Sequence, residues 1–124
     1  MICEHITGQV LNAFYKVYNV LGYGFLEKVY ESALVIELEN FGLNISRQRP
    51  ITVYYRGHIV GEYFADIVVN DLVILELKAA EWLSNDHYAQ LGNYLKATDK
   101  EVGLLLNFGR KPEFKRILFT NDQK

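Results

Sequence analysis

The sequence predicts a mixed α/β (α+β) fold, with a mixed central β-sheet flanked by helices in the order ααβββαββ. Three features predict it. Apolar residues recur at helical spacing through the N-terminal third of the chain. Extended, β-branched and aromatic runs follow, punctuated by Arg56-Gly57 and Asn70-Asp71. The run VGLLLNF, Val102–Phe108, is nearly all apolar, as expected of a strand covered on both faces.

The first helix is expected over Glu4–Leu21, where Ile6, Val10, Leu11, Phe14, Val17, Tyr18 and Leu21 share one side. Gly22-Tyr23-Gly24 breaks it. A second helix is expected over Leu26–Phe41, with Gly42 as a left-handed cap. Its apolar positions, from Leu26 to Leu38, make one broad buried side. Strands are then expected at Ile51–Tyr55, at His58–Val69 (with a bend at Gly61) and at Leu72–Ala79. Ser84 to Asp86 are good N-cap types for a third helix reaching Lys96. Val102–Phe108 and Phe114–Thr120 complete the sheet. The path from Leu72–Ala79 through the third helix to Val102–Phe108 is long enough for a parallel, right-handed βαβ crossover. Residues 1–124 are expected to form one domain, with no repeat or linker.

Half of the residues are apolar and 14% are aromatic, which excludes a disordered chain. The single Cys3 excludes an intramolecular disulfide framework and a cysteine-based zinc site, and it favours a reducing, cytoplasmic location. No signal-peptide pattern and no membrane-spanning run is visible. The net charge of −2 counts against a strongly basic nucleic-acid binder but not against a protein that meets phosphates through a bound cation, because carboxylates that hold a cation make a chain acidic on paper. Arg47, Arg49 and Arg56 form one basic cluster, and Arg110, Lys111, Lys115 and Arg116 another. Each also fits an ordinary solvated surface.

The stretch Asp66–Lys78 carries the chemistry. Strand alternation puts Glu76 and Lys78 on one side and Leu77 on the other. An acid and an amine at the end of an oily strand are costly to place without a use. Asp66 precedes the Asn70-Asp71 turn and Glu76 follows it, so the two carboxylates would lie on adjacent antiparallel strands. A two-residue turn pairs Val69 with Leu72 and Asp66 with Leu75, which leaves Asp66 and Glu76 on opposite faces. A β-bulge between these strands is therefore expected. Two carboxylates brought together suit Mg²⁺ or Mn²⁺, and a neighbouring lysine suits attack on a phosphodiester. The alternative for Glu76 and Lys78 is a plain ion pair at a strand end. Glu27, in the first turn of the second helix, also fits a favourable helix-dipole contact. Gln90 and Tyr94 share a helix face, as a half-buried polar stripe also would.

Together these pieces resemble the PD-(D/E)XK nuclease superfamily, and more narrowly the bacterial and archaeal GxxExxY family. The naming motif is Gly24, Glu27 and Tyr30. The similarity continues through Gln48, Pro50, Tyr55-Arg56-Gly57, Ala65-Asp66, Glu76-Leu77-Lys78, Gln90, Asn93-Tyr94-Leu95 and Gly103–Gly109. It implies Asp66, Glu76 and Glu27 as metal carboxylates, Lys78 as catalytic lysine, and Gln90, Tyr94 and Tyr30 on the substrate side. The implied cofactor is Mg²⁺ or Mn²⁺, and the implied fold is a sheet flanked by helices whose acidic strands diverge or bend at the site. The implied activity is metal-dependent phosphodiester hydrolysis, on DNA in preference to RNA. The alternative is a nuclease-fold domain that binds nucleic acid or a protein partner and cuts slowly or not at all. Expected partners are nucleic acid and no membrane. A homodimer or a larger nucleoprotein complex would suit cutting of both strands.

Overall fold

The computed structural model describes residues 2–124. Its elements are α1 (Glu4–Leu21), α2 (Glu27–Asn40), β1 (Ile45–Tyr55), β2 (His58–Val69), β3 (Val73–Lys78), α3 (Asn85–Lys96), β4 (Val102–Phe108), β5 (Pro112–Leu118) and a short 3₁₀ turn at Asn121–Gln123. The order is the expected ααβββαββ. The sheet runs β1-β2-β3-β4-β5. The β3–β4 pair is parallel and its neighbours are antiparallel, so the sheet is mixed.

Helices α1 and α2 cover one face. Val10, Phe14 and Leu34 meet Ile67, Val69, Leu75, Leu77, Leu104, Leu106 and Phe108 there. Helix α3 covers the other face with Leu91, Tyr94 and Leu95 against Val68, Ile74 and Leu105. All of β4 is buried, because it is the strand that both layers share. At Gly103 an added Cβ would lie 2.8 Å from Leu91, so this glycine lets α3 sit close to the sheet. The N-terminus of α3 is closed by a capping box between Ser84 and His87, which gives His87 a structural partner.

Two expectations need correction. The first strand begins at Ile45, not Ile51. Its polar start, ISRQRP, and Pro50 read as loop. The strand is at the edge of the sheet, where the missing proline N–H costs no ladder bond.

The second correction concerns the β2–β3 register. Ile67 pairs with Leu75, Val68 with Ile74 and Val69 with Val73, with no bulge in that ladder. Asn70 and Asp71 both take left-handed conformations, and the Leu72 N–H closes onto the Val69 carbonyl at 2.9 Å. Leu72 is the extra residue. The shift demanded by the two acids is made in the turn, where one residue costs no ladder bond.

Candidate active site

Continuing the observed register by one step sets Asp66 opposite Glu76, but the ladder stops before them. The strands diverge there, and side chains replace the ladder bonds. The Asp66 N–H donates to Glu76 Oε1 at 3.1 Å, and the Leu77 N–H donates to Asp66 Oδ2 at 2.8 Å. Each carboxylate is thus oriented by the other strand's backbone.

The strand β2 also turns over at this point. Ile67 and Val69 pack beneath α1 and α2, whereas Ala65 packs with the α3 layer and Tyr63 contacts Tyr94. Two residues apart, strand side chains should share a face. The inversion falls at Asp66. Beside it in β1, Gln48 has φ 49° and drops out of the ladder between the Arg47–Ile67 and Arg49–Ala65 pairs. A paired kink at Gln48 and Asp66 therefore opens the sheet at the acidic pair.

Glu76 is 3% exposed. Burial first, and then the Asp66 carboxylate, push its pKa up to about 8, against the opposing pull of the Asp66 N–H bond and Lys78. Lys78 does not pair with it: its Nζ donates to Gln90 Oε1 at 2.9 Å, and Gln90 Nε2 donates to the Tyr94 hydroxyl at 3.0 Å. A chain Lys78–Gln90–Tyr94 therefore runs from the strand end onto α3. Burial, and then Glu76, raise the Tyr94 phenol above its ordinary value.

Glu27 reaches the same strand end from α2, where Oε2 accepts the Ala79 N–H at 3.2 Å. It does not join Asp66 and Glu76 in one cluster. Among the described residues no three of His, Cys, Asp and Glu converge as a metal site. Glu27 stands at the rim of the strand end, with Oε2 on the Ala79 backbone. Tyr30 is placed differently from the expectation. It is fully buried and stacks on Phe108 at 4.3 Å. Its hydroxyl donates to the Gly22 carbonyl at 2.7 Å and accepts the Phe25 N–H at 3.2 Å. It shapes the loop that presents Glu27 and is not on a substrate surface.

The donor set suits a hard divalent cation. Two carboxylates face one another, one is buried, and their repulsion is the kind a cation relieves. Asp66 and Glu76 would hold such an ion.

A family model for the PD-(D/E)XK nuclease superfamily matches residues 4–117. The chain belongs to the PD-(D/E)XK nuclease superfamily. Comparison with curated proteins gives no match. Among solved structures, the crystal structure of SSO0001 is similar at TM-score 0.60 and 18% identity, over 77% of this chain. That likeness is one of fold. This chain spans 52% of that one's length. No described helix is long and apolar enough to cross a membrane.

The candidate site also contains residues whose part in it sequence reasoning missed. Glu31 is 4% exposed; it accepts Arg47 Nε at 2.9 Å and Gln48 Nε2 at 2.8 Å. The same Gln48 nitrogen lies 3.5 Å from Asp66 Oδ1, so the buried Glu31 carboxylate braces the kink through Gln48. The signal was present: Glu31 lies between the core residues Tyr30 and Leu34, on a side where an acid must be paired. Asn107 is buried and exchanges two hydrogen bonds with the Ala80 backbone, at 2.9 and 3.0 Å. At Gly109 a Cβ would lie 2.2 Å from the Ala80 carbonyl oxygen. Both residues fix the segment leaving Lys78. Nothing local in the sequence assigns them that task.

Proposed function

We propose that this protein is a metal-dependent nuclease that hydrolyses phosphodiester bonds, with DNA favoured over RNA and Mg²⁺ or Mn²⁺ as cofactor. The observation that carries the reading is the cross-bonded Asp66–Glu76 pair beside a lysine held by a glutamine. A divalent ion at the two carboxylates would supply positive charge against a phosphate and acidify water. The chain's own groups do the rest. Gln90 holds the Lys78 amine on the Glu76 side of the sheet, where it can orient an attacking water or stabilise negative charge as the bond breaks. Tyr94 fixes Gln90. Within the superfamily we assign the chain to the GxxExxY proteins, on Gly24, Glu27 and Tyr30; Tyr30's role in shaping the Glu27 loop supports that motif as a structural unit.

A second reading is a nuclease-fold domain that binds nucleic acid and cuts poorly unless a partner holds the substrate. The net charge of −2 favours it, since the chain as a whole carries no excess of positive charge to draw phosphates. The test is incubation of labelled single- and double-stranded DNA and RNA with Mg²⁺ or Mn²⁺ at low salt. Cleavage that vanishes in Asp66→Asn and Glu76→Ala is the expected result. Salt-sensitive binding without products would support the second reading, and neither binding nor cleavage would end both.

A further inference from the structure

The outer parts of β1 and β2 and the facing side of α3 line a cleft of about 780 Å³. That is within the range of about 300–1,000 Å³ typical of ligand clefts. Tyr54, Tyr63 and Tyr94 stand along it, with Gln90 and Asn93 on the α3 side. We propose that this cleft seats an unpaired nucleobase of single-stranded DNA, next to the bond presented to Lys78. The proposal rests on the nuclease reading and names the substrate class of the same site.

Four observations carry it. First, the cleft is continuous with the site: Gln90 and Tyr94 line it, and Gln90 accepts the Lys78 hydrogen bond. Second, its rings are available. Tyr54 is 63% and Tyr63 49% exposed, and the Tyr63 and Tyr94 rings are 5.7 Å apart at a tilt of 44°, not stacked on each other. Exposed aromatic faces beside a polar edge suit base stacking. Third, the polar groups are neutral hydrogen-bonders. The Asn93 amide makes no hydrogen bond to the described residues, and the cleft's only full charges, Asp86 and Lys96, oppose each other in sign. Such a lining suits a flat, uncharged ring and not a phosphate. Fourth, the β1–β2 register slips between Val53 and Tyr54, so β2 carries an extra residue opposite the cleft's lip. A slip of this kind re-aims the side chains next to it. The slip adjoins Tyr54, while the kink at Asp66 turns Tyr63 toward Tyr94 on α3. A base inside a duplex is stacked on both sides and cannot enter such a cleft without leaving its partner.

The test uses the whole protein in EDTA at low salt, with fluorescence anisotropy of a labelled thymidine strand of about a dozen nucleotides. Comparison probes are the same strand in a blunt duplex and a strand of abasic nucleotides that keeps every phosphate. The single strand should bind at least about tenfold more tightly than the duplex. Tyr54→Ala and Tyr63→Ala should each weaken it about tenfold, while Tyr63→Phe, which keeps the ring, should not. The abasic strand should lose affinity for the native protein but lose little more when both tyrosines are replaced. Equal affinity for single strand and duplex would overturn the proposal, as would ring removal without loss, or ring and base losses that simply multiply. Cleavage with Mn²⁺ is scored separately. A protein that cuts DNA yet ignores the rings and the bases overturns the cleft assignment alone. One that shows ring and base dependence in EDTA but never cuts supports the cleft and overturns the catalytic reading.

Discussion

Replacing Glu76 with Gln should make the metal-free protein more stable, and increasingly so as pH rises. In the folded protein Glu76 keeps its proton up to about 8, against an ordinary value of 4.5. Between those values the folded state holds a proton that the unfolded state has released. Folding stability therefore falls with rising pH in this window, by roughly 1.4 kcal/mol per pH unit for one group. The whole interval corresponds to on the order of 5 kcal/mol, and pH 5.5 to 7.5 to roughly 3 kcal/mol. Gln has no proton to lose, and its carbonyl can still accept the Asp66 N–H. Urea denaturation in EDTA at steps of pH should show the wild-type midpoint falling across this range and that of Glu76→Gln staying nearly level. The histidines are common to both proteins and drop out of the difference. Mg²⁺ or Mn²⁺ should restore wild-type stability mainly at the alkaline end, where the carboxylate is easiest to ionise. Parallel pH profiles for the two proteins would refute the reasoning, because they would mean that Glu76 ionises without cost.

Lys78→Ala should keep the metal-induced rise in melting temperature and lower cleavage at least about a hundredfold, as expected for loss of a group that acts on the reacting atoms. Asp66→Asn should abolish that rise; its remaining amide oxygen can still accept the Leu77 N–H, so chemical denaturation without metal should change by less than about 1.5 kcal/mol. Gly109→Ala should cost roughly 1–3 kcal/mol, read by denaturant midpoint, because its Cβ is driven toward the Ala80 carbonyl. Glu31→Ala should cost roughly 1–3 kcal/mol and slow cleavage as well, since Gln48 loses the carboxylate that holds it beside Asp66; cleavage that is unchanged under native conditions would separate Glu31 from the site.

Much of the fold was legible because its signals are local. The apolar spacing of α1 and α2, the Ser84 cap of α3 and the unbroken oil of β4 each follow from neighbours in the chain. The start of β1 was not legible, since a polar strand with a proline is tolerated only at an edge, and edges are assigned by topology. For the site, Glu76 and Lys78 share a face by simple alternation. Asp66 reaches them through a three-residue turn and a kink, not through the bulge that counting required. The motif places Glu27 at the strand end, where it meets the Ala79 backbone, but it does not reveal that Tyr30 is buried beneath the loop that carries Glu27.

The sequence by itself determined the elements, their order and the residue types able to hold a cation, because periodicity and side-chain chemistry act over a few neighbours. Only the tertiary structure decided which of those residues meet. Leu72 in the turn sets the register, and the kink at Gln48 and Asp66 sets the face. Both depend on strands pairing across sequence gaps that no local pattern spans, and moving either by one residue would carry a carboxylate to the opposite side of the sheet.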